Sequence, residues 1–527
     1  MYLSRNLIAL TFVATLCLMH QQQVNAANIL VFLPTFSPSH LVIQMAVAKV
    51  MAERNHNVTV VSSLPLKSEW LHPSMTCIQF DAGFKDMAGA ITATQASGIK
   101  RLRKSFTLMY HVTQMMGEIL EDAKIQELMF NPGNKFDLII FGYIYADFFF
   151  GLAEHFDCPV ALVWPNIPVS PIMHLIGNPM EMTYAPLSLM NPVPYGESGG
   201  FLFRVKNLFA ALMELTMVNI NYFTIKDIYS KHFHHYAPLE KAKQRASMVL
   251  FSHHFSEKPA RALVPAMIEI GGIHLNEEPK PLPKDLEAFV SNAEHGIILF
   301  CLGSNVKASH LQPNALEKIY KALSKLPQKV LWKYDVETNI PGNSSNILFR
   351  SWLPQGDILG HPNVKLFFGH GGKGGITEAK FYGVPIVGLP LFADQFMNMD
   401  EVVARGYGLS INHEEELSEE VIYKTVKEVL ENQTYTNNVK HFSNLYRDRP
   451  LRIKDNAAYW LEYLLRYKGA PHLQSPLKSM SFVEANNLDV FVVIGLVIYL
   501  LWKIIKVFCK LVLRLLCGRN AQKTKKE

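Results

Sequence analysis

Cysteine and charge are both scarce in this chain. Only six of its 527 residues are cysteine, and Cys17, Cys509 and Cys517 fall in terminal segments. Cys77, Cys158 and Cys301 then allow one disulfide at most, so no framework of bridges holds the fold. Charged residues make up 18% against 49% hydrophobic, which excludes a disordered or coiled-coil chain. The 29 prolines and 30 glycines are scattered, which excludes a collagen-like one. No repeat, no Asp-x-Asp pair and no His/Cys cluster stands out, so neither a solenoid nor a metal site is expected. The body also lacks positive charge. Of the net +6, Lys503 to Glu527 supplies eight Lys/Arg against one Glu, leaving about −1 for everything before it. A nucleic-acid-binding body would carry its positive charge on the folded domain, so nucleic acid is not an expected partner.

Long apolar runs occur at the two ends. Arg5 precedes the run Leu7 to Met19, followed by Gln21-Gln22-Gln23 and Val24-Asn25-Ala26. That pattern reads as a signal peptide over residues 1–26, the run being too short to cross a bilayer. Val490 to Trp502 carries no charge, and extension to Phe508 reaches the ~20 residues a spanning helix needs. A transmembrane helix is expected over 488–508 and a basic cytosolic tail over 509–527. Lys503, Lys506, Lys510 and Arg514 recur every three or four residues, so they share a face and can reach lipid headgroups; an interfacial helix is the alternative. The excess of basic residues after the span puts the residues before it in the lumen, a single-pass type I arrangement. Lysines three and five places from the end, within Lys523-Thr524-Lys525-Lys526-Glu527, resemble a retrieval signal of the endoplasmic reticulum membrane. The sequons at Asn57, Asn343 and Asn432 would be glycosylatable there, Asn57 least readily because it opens a buried strand.

Between these ends the periodicity is that of an α/β protein. Asn28 to Leu33, a helix over about His40 to Arg54 and Val58 to Ser62 form a βαβ opening, which implies a parallel sheet. Asp137 to Phe141 and Val160 to Trp164 are further strands flanking a helix over Ala146 to Phe156, and Pro165 to Pro194 reads as loop. After the proline-rich Glu277 to Pro283, a second series of short apolar strands begins: Gly296–Leu302, Lys329–Lys333, Ile347–Phe349, Val364–Phe368 and Pro385–Leu389. Two doubly wound domains are expected, over 27–276 and 284–469, with ligands at the carboxyl ends of their strands.

The densest group of chemistry-bearing residues runs from Ser351 to Gln395. Phe367-Phe368-Gly369-His370-Gly371-Gly372-Lys373-Gly374-Gly375 reads as strand, glycine turn and helix start, where backbone N–H groups and the helix dipole can hold a diphosphate. Ser351-Trp352-Leu353-Pro354-Gln355, the His370-Gly371-Gly372 turn, Glu378, Pro385, Pro390 and Asp394-Gln395 together resemble the signature of the UDP-glycosyltransferases. The likeness extends over nearly the whole chain, including Ser39-His40 and Leu299 to Ser304, and is strongest to the membrane-bound animal enzymes. Gly177-Asn178-Pro179 with Tyr184 and Pro186 resembles invertebrate members.

The resemblance implies the GT-B architecture of two facing Rossmann-like domains, with the acceptor on the first and the UDP-sugar on the second. It implies that Trp352 stacks on uracil, that Gln355 reaches the uridine and that Glu378 accepts from the ribose hydroxyls. Ser304, His370 and the backbone of Gly372 and Gly375 would hold the diphosphate, and Asp394 and Gln395 the sugar. His40 would be the general base, with Asp147 the candidate to orient it, because Gly142 and Tyr143 stand where the family often places its acid. Gly369 and Gly374 replace a usual Thr or Ser and a usual Asn, and Lys373 either compensates with charge near the phosphates or points to solvent. Phe148-Phe149-Phe150, Met115-Met116 and Met180 to Tyr184 suit a lipophilic acceptor, with many of them serving as core. The expected reaction is inverting transfer of a hexose, glucose for preference, to a hydroxyl of such an acceptor, without a metal or other cofactor. A homo-oligomer is compatible with the sequence. The alternative is a membrane-tethered binder of UDP-sugar or lipophile that retains the fold without transferring.

Overall fold

The computed structural model describes residues 26–80, 98–181, 183–188, 200–257, 259–303, 314–334, 340–391, 394–412 and 417–523. Residues 1–25 of the expected signal peptide and Ser304 therefore lie outside the described residues. From Ala27 onward the chain builds two parallel sheets of doubly wound order.

The first sheet contains β1 (Asn28–Leu33), β2 (Asn57–Ser62), β3 (Met75–Gln79), β4 (Leu138–Gly142), β5 (Val160–Trp164), β6 (Ala246–Phe251) and β7 (Met267–Glu269). Their spatial order is β3-β2-β1-β4-β5-β6-β7, with every pairing parallel. The second contains β8 (Ile297–Cys301), β9 (Lys329–Lys333), β10 (Ile347–Arg350), β11 (Val364–Gly369), β12 (Ile386–Gly388) and β13 (Gly408–Ser410), in the order β10-β9-β8-β11-β12-β13. The order reverses between β1 and β4 in one sheet and between β8 and β11 in the other, and these reversals open the crevices in which such sheets bind ligands.

Strand pleat explains the continuous apolar runs. In β1, Leu30 and Phe32 enter the core on one face while Ile29, Val31 and Leu33 enter the core on the other. β8 does the same with Ile298 and Phe300 against Ile297, Leu299 and Cys301. Both sheets are thus covered on both sides, as parallel sheets must be. Cys77, Cys158 and Cys301 are all free thiols.

Five helices of this body matter below: α1 (Pro38–Glu53), α2 (Phe201–Phe233), α3 (Lys373–Tyr382), α4 (Gln395–Ala404) and α5 (Ile453–Arg466). Pro38 starts α1 at its first turn, where the missing N–H costs nothing. The segment read as loop from Pro165 holds the short helix Ser170–Ile176, again opened by a proline, Pro171. Helix α2 buries Phe203, Ala210, Ala211, Met217 and Ile225 and exposes Phe201, Val205, Phe209, Leu212, Ile220 and Phe223. Helix α5 follows the second sheet in sequence, yet Ala457, Ala458, Leu461 and Leu464 join the core beneath β1. Arg54, just past α1, bonds Glu462 on that helix at 3.0 Å.

Residues 475–527 form a separate compact unit. Ser481 and Glu484 make a reciprocal capping box for the turn Phe482–Ala485, and α6 (Leu488–Lys523) follows. Its apolar stretch Leu488–Leu515 reaches a mean hydropathy of 2.4 over 18 residues, long enough and apolar enough to cross a membrane, and it runs beyond the expected 488–508. Lys503 and Lys506 lie over the rings of Tyr499 and Trp502, at 5.0 and 4.8 Å.

One packing constraint is directly testable. A Cβ on Gly408 would overlap the backbone carbonyl of Ile386 across the β12–β13 pairing, and a backbone group cannot turn aside. Gly408→Ala is expected to destabilise the body by about 2 kcal/mol or more, read as a lowered thermal midpoint.

Candidate active site

β1 ends at Leu33, and the chain turns through Thr35 to Ser37 before α1 begins. Ser63 Oγ donates to the Thr35 carbonyl at 2.6 Å and the Ser37 N–H to Thr35 Oγ1 at 3.1 Å, which fixes this turn at the sheet's reversal point. His40 therefore stands in the first turn of α1, partly exposed, with its Nδ1 buried and without a hydrogen-bond partner. Burial drives its pKa down to about 4 against the opposing pull of Asp394, so the ring is neutral near neutral pH.

Asp147 does not orient it. One carboxylate oxygen accepts from Tyr143 Oη at 2.6 Å and the other is 3.3 Å from Lys243 Nζ. The single turn of tight helix that starts at Asp147 carries the carboxylate to these two partners, and His40 Nδ1 neither accepts nor donates a hydrogen bond. Phe148, Phe149, Phe150 and Met116 are likewise buried in the first sheet's core and offer no surface to an acceptor. Gln44, one turn after His40, is fully buried with neither amide atom hydrogen-bonded, a cost of about 1–3 kcal/mol for each orphaned group.

On the second sheet, β11 leads through His370 and Gly371 into α3, with Gly372 at the cap and no side chain capping the first N–H groups. Gly371 has φ +79°, and a Cβ there would press on Met399 and the Gln395 carbonyl, so the turn needs glycine. The His370 ring fits against Gly303 and Gly372, where added Cβ atoms would fall 2.6 and 2.5 Å from it. Burial lowers its pKa to about 4, with Asp394 raising it and Lys333 lowering it further. A Cβ on Gly375 would sit 3.3 Å from Gln355, and one on Gly369 would press on the Phe367 ring at 2.7 Å, so Gly369 makes room for that ring. At Gly374 the nearest atom to a Cβ is Ser39 Cβ, 4.0 Å away. The N-termini of α1 and α3, both partially positive, thus converge.

Lys373 neither reaches toward this turn nor points to solvent. It is buried, with Nζ 3.2 and 3.3 Å from the two oxygens of Glu257 beyond β6. Lys380, two turns further along α3, is fully buried between Glu257 at 2.7 Å and Glu401 of α4 at 3.1 Å.

A cavity of about 460 Å³ holds the nucleoside candidates, lined by Trp352, Gln355, Glu378 and His274 with Lys67 and Trp70. Trp352 is 47% exposed and Lys67 Nζ lies 5.1 Å from its ring centre. Glu378 accepts from Gln355 Nε2 and has His274 Nε2 at 3.4 Å. Asp394 accepts from Asn398 at 2.9 Å and, across the cleft, from Asn166 after β5 at 3.2 Å. Gln395 is buried, its Oε1 accepting from the Leu391 N–H at 2.8 Å. His274, Asn166, Asn398 and Gln44 escape a motif-based reading, because each is polar for reasons visible only once the two sheets are folded. Groups of three or more His, Cys, Asp or Glu suited to a metal do not occur among the described residues.

Two parallel sheets meeting at their reversal points, with a helix N-terminus on the second and a nucleoside-sized cavity lined from both, define a two-domain nucleotide-sugar transferase of GT-B architecture. The family described as UDP-glucoronosyl and UDP-glucosyl transferase matches residues 28–526. UDP-glycosyltransferase UGT4 of Dactylopius coccus is 33% identical over 495 residues, covering 92% of this chain and 95% of that one. UDP-glucuronosyltransferase 1A1 of Mus musculus is 33% identical over 340 residues, covering 64% and 62%. Among solved structures, a UDP-glucosyltransferase from Polygonum tinctorium superposes with TM-score 0.56 at 15% identity, over 84% of this chain and 99% of that one. TcCGT1 in complex with UDP gives TM-score 0.55 at 15% identity, over 84% and 100%. The chain belongs to the UDP-glycosyltransferase family and is an enzyme that transfers sugar from a UDP-sugar.

The buried lysine and glutamate cluster carries its own prediction. Burial alone would raise the Glu257 carboxyl, but Lys373 and Lys380 hold it well below its ordinary 4.5. A depressed carboxyl stabilises the fold above its unfolded pKa and loses that contribution as pH falls through the folded value. Glu257→Ala is expected to cost about 3–5 kcal/mol near neutral pH, because it leaves buried Lys373 without its carboxylate and buried Lys380 with Glu401 alone. Thermal unfolding against pH should show the variant's deficit shrinking below about pH 4.

Proposed function

We propose that the enzyme transfers a hexose, glucose for preference, with inversion, to the hydroxyl of a small lipophilic acceptor. The observation that carries this reading is the convergence of His40 and the His370 turn, with Ser39 beside Gly374 and Asp394 acting on both imidazoles. Neutral His40 takes the acceptor's hydroxyl proton as the oxygen forms its bond to the anomeric carbon. On the opposite side the bond from that carbon to the UDP oxygen breaks, and UDP leaves with the electron pair. The N–H groups at the start of α3 and the His370 ring stabilise the charge that develops there. Ser304, Gly372 and Gly375 belong to the same diphosphate site, Trp352, Gln355 and Glu378 to the uridine, and Asp394 and Gln395 to the sugar. The steps as proposed call on no metal. Phe36, Ile144 and Tyr145, left partly exposed near the ends of β1 and β4, supply the apolar side of the acceptor site.

A non-catalytic binder is the second reading, favoured by the missing partner at His40 Nδ1. The expectation for an enzyme is that His40→Ala abolishes transfer while UDP affinity stays within about twofold. Because the base is neutral down to about pH 4, the acid limb of kcat/KM should lie well below 6.5. Wild-type turnover in His40→Ala removes the base, and absence of transfer by the native protein across a panel of UDP-sugars and phenols favours the binder.

We also place the catalytic body in the lumen of the endoplasmic reticulum, with α6 as the span and the basic tail cytosolic. Support comes from the apolar stretch of α6 and the lysines that follow it. Protease added to sealed microsomes should remove only the tail; digestion of the body in intact vesicles reverses the orientation.

A further inference from the structure

We propose that Gln44 is the positioning residue for His40, its side-chain carbonyl accepting the Nδ1–H of the imidazole when an acceptor is bound. The inference rests on His40 being the base. Gln44 lies one turn after His40 on α1, so the two side chains share a face. Gln44 is fully buried and neither atom of its amide has a partner, and His40 Nδ1 has none either. Buried polar groups are hydrogen-bonded as a rule, and a donor and an acceptor orphaned one turn apart are completed by a change of side-chain torsions.

The amide also occupies a telling place. It lies directly on Gly142, the last residue of β4, where an added Cβ would fall 2.6, 2.7 and 2.8 Å from its Nε2, Cδ and Oε1. Any side chain at 142 would displace it, so the glycine and the glutamine are complementary. Asp147, the acid expected to do this work, is committed to Tyr143 and Lys243. Among the charged groups, Asp394 is the one that acts on His40.

The chemistry follows from the amide being neutral. With Nδ1–H donated to the Gln44 carbonyl, Nε2 presents its lone pair to the acceptor hydroxyl. The hydroxyl proton moves to Nε2 as the new C–O bond forms, and the Nδ1 proton stays where it is. The imidazolium is then held by a dipole instead of an anion, so the base keeps a low pKa that a carboxylate would raise.

The test uses the full-length protein in microsomes, with UDP-glucose and a coumarin phenol as substrates. Gln44→Ala and the volume-matched Gln44→Met are each expected to lower kcat at least tenfold while leaving UDP affinity unchanged. Gln44→Glu should retain turnover and move the acid limb of kcat/KM upward by about one unit or more. Gln44→Ala combined with Gly142→Asp should recover activity with the same upward shift. The pH dependence of carbethoxylation of His40 reads the shift in Gln44→Glu independently of turnover. Native kcat in Gln44→Met, or an unmoved His40 titration in Gln44→Glu, overturns the role of Gln44. Native turnover in His40→Ala instead overturns the base itself, so the two failures are distinguishable.

Discussion

Two lysines on one face of α3, both paired with Glu257 and one of them also with Glu401, with almost no access to water, hold this helix in place. Glu257 belongs to the segment after β6, so the cluster ties a helix of the second sheet to a loop of the first. The same helix carries the His370 turn at its start and Glu378 in its middle. Buried ion pairs add little net stability compared with apolar packing, but breaking one is expensive, so the cluster acts by making other arrangements of α3 costly. The cavity beside Trp352, the His370 turn and the approach of Ser39 to Gly374 all depend on that single orientation.

The charge distribution over the cleft has the same economy. Burial neutralises His40 and His370, and the carboxylate that acts on both, Asp394, is held by two asparagine amides instead of by a cation. Asn166 reaches it from the first sheet and Asn398 from the second, so its position reports on the closeness of the two.

Much of this was legible beforehand because the strands nearest the reversal points are the most apolar. β1, β5 and β8 are uninterrupted runs whose ends follow from glycine, proline or charge, β11 is broken only by Lys365, and the motif residues beside them are recognisable by their resemblance to a family signature. The edge strands β3, β7 and β13 are short or half-exposed and carry little pattern. Helix α2 is apolar on two faces, so its periodicity is weak. Lys373 and Asp147 show the limit of reading charge from sequence. Both stand at helix starts near the cleft, where proximity to phosphate or histidine is the natural inference. Their true partners, Glu257 and Lys243, lie far away in the chain and are brought in by the fold.

The return of α5 to the first sheet means that this half of the body is assembled from two stretches of chain, one before residue 277 and one after residue 452. The polypeptide therefore passes between the halves twice. Two crossings confine relative movement to rotation about the line joining them, which favours opening the cleft like a book over sliding one sheet past the other. They also dictate how relatives can be recombined. A chimera joined once, at the proline-rich segment, would seat one parent's α5 beneath the other parent's β1 and α1, so a clean exchange of this half between relatives must carry both stretches together.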